Sequence, residues 1–73
     1  MARITVKSEI AGTVWKVTST VGGTLKAEDT IVILEAMKME IPVSAPKAGT
    51  LQELLVKEGD AVAEGQAVAV LEG

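Results

Sequence analysis

Lys38 is the residue of this sequence with the clearest chemical potential, because of the residues around it. It lies between the only two internal methionines of the chain, in the stretch Glu35-Ala36-Met37-Lys38-Met39-Glu40. A lysine amine can serve as a nucleophile, and exposed methionines are typical of surfaces that bind other proteins. A second interpretation stays open at this point, in which Met37 and Met39 close the end of the apolar core and Lys38 is an incidental charge.

The sequence has few other side chains that could take part in catalysis. The 73 residues include no histidine and no cysteine, so the commonest general base, the thiolate nucleophile and the commonest transition-metal ligand are missing. No serine therefore has a histidine to activate it. A lysine acting through a Schiff base would need burial to lower its pKa. We expect a protein that is not an enzyme, with no catalytic residue and no metal site.

The remaining charges indicate a solvated surface. The other five lysines lie among polar neighbours and are interpreted as ordinary surface charges: Lys7, Lys16, Lys26, Lys47 and Lys57. A net charge of −3 with scattered basic residues argues against a nucleic-acid partner. The longest apolar run has five residues, against roughly 20 for a membrane helix. Because no signal peptide is recognisable, we expect a cytoplasmic protein with no membrane partner.

The elements that must position Lys38 are predicted to be strands. The chain holds ten valines, five isoleucines and seven threonines, which favour the pleated sheet. No window shows a sustained helical period. Apolar segments between turn signals predict strands at 3–7, 12–18, 24–26, 30–35, 39–43, 49–56, 61–63 and 67–72. Pro42 lacks a backbone donor, so its strand is expected at a sheet edge.

An internal repeat organises these strands. With a shift of 37 positions, residues 4–35 align without a gap to residues 41–72 and share eight identities. Val14 and Val17 are three residues apart, as are Leu51 and Leu54, which predicts a β-bulge in each half. Neither half could bury its apolar face alone. We expect an all-β fold, a flattened β-barrel or sandwich of two four-stranded sheets with quasi-two-fold symmetry, forming a single domain over residues 1–73.

The junction between the two repeat units holds Lys38. Few residues are left to connect strand 30–35 with strand 39–43, which predicts a tight hairpin. Lys38 would then stand in solvent at the tip of a rigid turn. The repeat also predicts that this connection lies opposite the chain termini.

The motif and its surroundings resemble the biotinyl domains of biotin-dependent carboxylases. Ala-Met-Lys-Met is similar to the biotin attachment motif, and similarity extends over the segments 10–17, 41–49 and 57–66. The resemblance implies that biotin is joined to Lys38 by an amide bond, within a motif formed by Ala36, Met37 and Met39. Glu35 and Glu40 are expected to orient the biotin protein ligase, although simple solubilising charge is an equally good interpretation.

The resemblance also implies a function. The carrier would move CO₂ as carboxybiotin between a biotin carboxylase and a carboxyltransferase, in an acyl-CoA or acetyl-CoA carboxylase of fatty acid metabolism. Met1 and the absence of a preceding linker favour a free-standing carrier subunit over an excised domain. The alternative is a lipoyl carrier domain of a complex of the 2-oxo acid dehydrogenase type, and a third is a scaffolding module without a cofactor. Lipoyl domains usually have Asp-Lys-Ala at the turn, so the two methionines favour biotin.

Two departures from the family pattern are visible. The turn at Glu28-Asp29 lacks the glycine that the second half has at Gly65, so its turn type could differ. The segment Thr18–Thr24 leaves no room for the protruding insertion of some bacterial acetyl-CoA carboxylase carriers.

Overall fold

The computed structural model describes residues 3–73, and the regular structure in that range is entirely β-strand. The strands are β1 (Arg3–Lys7), β2 (Gly12–Val17), β3 (Thr24–Leu25), β4 (Thr30–Ala36), β5 (Met39–Ser44), β6 (Gly49–Leu54), β7 (Ala61–Val62) and β8 (Ala67–Glu72). The sequence predicted each of them. Residues 1 and 2 of the predicted domain lie outside the described range.

All eight strands start at the predicted residue, and six of them end one or two residues from the predicted end. The largest difference is at β6, which ends at Leu54, where position 56 was expected. Leu55 keeps a backbone hydrogen bond, its N–H donating to the carbonyl of Val68 at 2.9 Å. Val56 is buried and continues the in–out alternation of Leu54 and Leu55, but it lies beyond the last ladder pair, Leu54 with Ala69.

Two antiparallel four-stranded sheets form the structure. Sheet A has the order β1-β8-β6-β3, and sheet B has the order β5-β4-β2-β7. Adding 37 to the residue numbers converts β1, β2, β3 and β4 into β5, β6, β7 and β8, and thereby converts one strand order into the other. This confirms the predicted quasi-two-fold pair of sheets, with each half supplying strands to both. β5, which carries Pro42, is an edge strand as expected.

The predicted bulges are present at equivalent positions. The pairing of β2 with β4 shifts between Val14 and Lys16, which makes Trp15 the extra residue. The pairing of β6 with β8 shifts between Leu51 and Glu53, which makes Gln52 its counterpart. A bulge bends the strand and re-aims a side chain, so these two residues leave the regular alternation of their sheets.

Aliphatic side chains from the two inner faces form the core. Ile31, Leu34, Leu51 and Leu71 are fully buried, as the two packed sheets require. Ser8 is the buried polar residue of the described range. Its hydroxyl donates to the carbonyl of Ile10 at 2.5 Å and accepts from the N–H of Ile10 at 3.3 Å. Among the described residues, every buried side-chain nitrogen or oxygen atom therefore has a hydrogen-bond partner.

Glu28 corrects one expectation about the turns. It has φ +71°, close to the φ of +82° at its counterpart Gly65. Both turns keep the same bonds, because Asp29 N–H donates to Lys26 O and Gln66 N–H donates to Ala63 O. The missing glycine therefore does not change the turn type, and Glu28 bears the strain of a left-handed backbone instead.

Residues 3–73 contain no helix that is long and apolar enough to cross a membrane.

Candidate functional site

The hairpin predicted around Lys38 is present. β4 and β5 pair from Thr30–Ser44 to Ala36–Met39, so the connection consists of Met37 and Lys38 alone. Under the repeat, the terminal pair of sheet A, Arg3 with Glu72, is the counterpart of Glu40 with Glu35. The first and last strands of the chain, β1 and β8, therefore end side by side in sheet A at the position that corresponds to the hairpin of β4 and β5 in sheet B.

Both loop residues have a left-handed backbone. Met37 has φ +53° and Lys38 has φ +66°. Positive φ at both central residues is what a type I′ turn requires, and such turns match the twist of a two-residue hairpin. Asparagine and glycine are the usual residues there, because other side chains cost about 1–2 kcal/mol in this conformation. The hairpin therefore holds Lys38 in a tight turn that the flanking strands determine.

The side chains of the loop point into solvent. Met37 is 89% exposed and Met39 is 63% exposed, while Lys38 is exposed between them. Ala36 is buried at the base of the hairpin. These exposures exclude the alternative interpretation in which the two methionines close the core. The hairpin instead presents an amine flanked by two flexible apolar side chains.

Gly12 allows the neighbouring strand β2 to approach the base of the hairpin. A Cβ atom at position 12 would lie 2.8 Å from the carbonyl oxygen of Glu35 and 3.3 Å from the Cβ of Ala36. Only glycine fits so close to the backbone of β4 without a shift. The sequence did not single out this residue for the site. The clue that the sequence offered is that Gly12 aligns with an identical residue, Gly49, in the repeat. A Cβ atom added at Gly49 would likewise lie 2.8 Å from a carbonyl oxygen, that of Glu72.

The base of the hairpin carries two like charges. Glu35 and Glu40 lie directly opposite one another in the β4–β5 pairing, and both are exposed. Like charges in such a pair are unfavourable. Within residues 3–73 there is one salt bridge, between Arg3 Nη2 and Glu53 Oε2 at 3.8 Å. The carboxylates beside Lys38 are therefore left without an ion-pair partner among the described side chains.

The other predicted surface residues are where the sequence placed them. The five remaining lysines are all exposed. A groove of about 620 Å³ lies between the edge strands β1 and β5, and its lining includes Lys7 and Glu9 but not Lys38. In the described part of the chain, no three histidine, cysteine, aspartate or glutamate side chains are grouped to hold a metal ion. Lys38 is thus a wet, accessible amine.

Comparison with known proteins connects this hairpin to a family. Residues 3–71 match the family described as "Biotin-requiring enzyme". The chain is 41% identical over 68 residues to the Biotin/lipoyl attachment protein of Bacillus subtilis (strain 168), a match that covers 93% of each protein. It therefore has almost the full length of that small relative.

Segments of much larger proteins also match. The crystal structure of the Kluyveromyces lactis urea carboxylase superimposes with a TM-score of 0.93 and 39% sequence identity, over 99% of this chain and 6% of that one. The dihydrolipoyllysine-residue acetyltransferase component of the pyruvate dehydrogenase complex of Cupriavidus necator is 46% identical over 52 residues, which is 71% of this chain and 9% of that protein. The superposition on the urea carboxylase structure confirms the predicted flattened barrel.

Proposed function

Because the chain belongs to the family of biotin-requiring enzymes, we propose that Lys38 is the residue to which biotin is attached. Membership makes the protein a biotin-requiring carrier domain, with biotin as its covalent cofactor, as the sequence predicted. The proposal adds the residue, the partners and the role of the hairpin. In this proposal, residues 1–73 form one carrier domain.

The position of Lys38 in the hairpin is the main support for choosing it as the attachment residue. It is the lysine that stands in a two-residue loop with a left-handed backbone, in contact with solvent and flanked by exposed Met37 and Met39. A turn held in one shape loses little conformational entropy when an enzyme docks on it. The hairpin therefore fits a covalently tethered group that must be reached by other proteins.

The attachment step forms an amide bond. The Nζ atom of Lys38 attacks the activated carboxyl carbon of biotin, the activating group leaves, and the amine loses a proton. The attack needs the neutral amine, because a protonated amine has no lone pair to donate. Because the sequence has no histidine, we assign proton removal to the biotin protein ligase and presentation of the amine to this chain.

The residues around Lys38 have separate roles in that presentation. The side chains of Met37 and Met39 offer adaptable apolar contacts to the ligase. Ala36 is buried and fixes the base of the hairpin. Glu35 and Glu40 place negative charge three and two residues from the lysine, respectively, and this charge orients the encounter with the ligase.

After attachment, the chain acts as a carrier. Biotin supplies the carboxyl-carrying chemistry, and the chain supplies the tether. A tether gives a high effective concentration at each active site that it can reach. We propose a biotin carboxylase and a carboxyltransferase as the partners. An acyl-CoA carboxylase, with acetyl-CoA as its acceptor, in the cytoplasm is the first system to test.

The direct test is the variant Lys38→Arg. Wild-type protein incubated with biotin, ATP and a biotin protein ligase should gain the mass of one biotinyl group. Lys38→Arg should gain none, because an arginine side chain does not form the amide. Intact-mass spectrometry measures the gain, and circular dichroism should show an unchanged fold.

The matched control is Lys57→Arg, which changes an exposed lysine away from the hairpin. It should be modified like the wild type. A biotinyl group found on the Lys38→Arg protein would contradict the assignment.

A lipoyl carrier is the second candidate, since the acetyltransferase component named above shares 46% identity over 52 residues. The two methionines beside Lys38 favour biotin. Incubation with a biotin protein ligase or a lipoate ligase, each with its own substrate, separates the two by intact mass. A gain with lipoate alone would favour the lipoyl function.

A further inference from the structure

The outer faces of the two sheets differ, although the repeat relates one sheet to the other. On sheet B, Ile33 pairs with Pro42 on one side and with Lys16 on the other, beside the bulge at Trp15. On sheet A the equivalent row is built from Thr5, Val70 and Glu53, beside the bulge at Gln52. Each row holds one charged residue, Lys16 on sheet B and Glu53 on sheet A. The two faces differ because sheet B carries Trp15 and Pro42 where sheet A carries Gln52 and Thr5.

The apolar side chains of this part of sheet B are in contact with solvent. Trp15, the one aromatic residue of the sequence, is 49% exposed. Ile33 is half-buried and Pro42 is exposed. On sheet A the counterpart of Ile33, Val70, is only 8% exposed. Tryptophan is enriched among the residues that dominate protein–protein binding.

This row is continuous with the hairpin. The inner face of the hairpin strands packs on the core through Leu34, Ala36 and Val43. A protein that surrounds the hairpin must therefore contact its outer face. Glu35 and Glu40 form the first outward-facing row below the turn, and Ile33 and Pro42 form the next. The two rows are about 7 Å apart, from the rise of two strand residues.

We infer that the outer face of sheet B is the surface on which the biotin protein ligase docks. The inference rests on the proposed function of Lys38. The docking surface consists of Trp15, Ile33 and Pro42 together with the carboxylates of Glu35 and Glu40. It fits a partner that offers an apolar depression for the indole and cationic side chains for the two unpaired carboxylates.

The ligase is the partner that most needs such a surface. It must choose one of six lysines on a chain that does not yet carry biotin. Its specificity for the chain must therefore come from the protein surface near Lys38. The carboxylase and transferase, in contrast, bind a tethered biotin in their own active sites, and the tether supplies the local concentration.

The test compares the two bulges. Trp15→Gln gives the bulge of sheet B the residue found in sheet A, and Gln52→Ala is the matched control on the other sheet. Biotin incorporation is followed at several protein concentrations with a purified bacterial biotin protein ligase, biotin and ATP. We expect kcat/KM to fall about tenfold or more for Trp15→Gln, through KM. Gln52→Ala should react at the wild-type rate.

A second measurement needs no variant. With a single tryptophan in the sequence, the indole N–H gives one NMR signal, which should shift when the ligase is added without ATP. The side-chain amide signal of Gln52 should stay in place. Equal rates for both variants, or an indole signal that does not move, would overturn the docking surface. If wild-type protein gains no biotin at all, the proposed function fails, which is a separate outcome.

Discussion

At the scale of single residues, Met37 is the clearest case of a side chain kept against the interest of stability. Its backbone is left-handed at φ +53°, and its apolar side chain is 89% exposed. The first property costs about 1–2 kcal/mol, and the second buries almost nothing. The first property costs stability and the second contributes none, which supports the proposed contact of Met37 with a partner protein.

Met37→Asn should therefore separate stability from modification. Asparagine tolerates the left-handed region, so the free energy of unfolding should rise by about 0.5–1 kcal/mol. The apolar contact with the ligase is lost at the same time, and the rate of biotin incorporation at Lys38 should fall. Thermal unfolding measures the first effect and intact-mass kinetics the second.

Glu28→Asn is the matched control for that variant. Glu28 has φ +71° in a turn outside the hairpin. The same relief of strain should stabilise the protein, while biotin incorporation stays at the wild-type rate. A Met37→Asn protein that is modified as fast as the wild type would show that the methionine side chain is not used.

The hairpin that presents Lys38 could be predicted from the sequence, because it lies at the junction of the repeat and few residues are left for a loop. Three other features could not. The close approach that requires Gly12 depends on the distance between two strands, which a sequence does not contain. The left-handed backbone of Glu28 is accompanied by two backbone bonds that override a local preference: Glu28 N–H donates to Ala45 O, and Asp29 N–H donates to Lys26 O. The half-exposure of Trp15 depends on its neighbours across the sheet.

At the scale of elements, the hairpin depends on the strand beside it. β2 pairs with β4 through Thr13 and Val14, and Gly12 brings it against the last residues of β4. The spacing of the valines predicted the bulge in β2, since a side-chain period of two had to be broken. The glycine that allows the close approach is the point at which the hairpin can be disturbed without touching its loop.

Gly12→Ala tests that dependence. The added methyl group would lie 2.8 Å from the carbonyl oxygen of Glu35, so the backbone of β4 or β2 must shift. Such overpacking should lower the free energy of unfolding by about 1–3 kcal/mol. The displaced hairpin should also be modified more slowly. Thermal unfolding and ligase kinetics, both measured below the melting temperature, give the two values.

Gly49→Ala is its control in the other half. The clash is of the same size, because its Cβ would lie 2.8 Å from the carbonyl oxygen of Glu72. It should destabilise the protein similarly but leave modification of Lys38 unchanged. Equal modification rates for the two variants would mean that the position of β2 does not matter to the hairpin.

At the scale of the whole molecule, the two halves of the sequence are interleaved. Of the six strand pairings between residues 3 and 73, β2 with β4 and β6 with β8 lie within a half. The other four join the halves: β1 with β8, β2 with β7, β3 with β6 and β4 with β5. The repeat predicted this exchange, because a single unit had no partner for its apolar face. The unequal outer faces had no such signal, since they depend on which residues become neighbours across strands.

Division of the chain at the tip of the hairpin should therefore abolish folding of each part. The fragment of residues 1–37 keeps only the pairing of β2 with β4, and the fragment 38–73 keeps only that of β6 with β8. Two-stranded sheets are at best marginally stable in water. Each fragment alone should give the circular dichroism of an unfolded chain, and an equimolar mixture at high concentration should regain the β-sheet signal. Well-dispersed amide NMR signals from either isolated fragment would show that a single repeat unit folds without its partner.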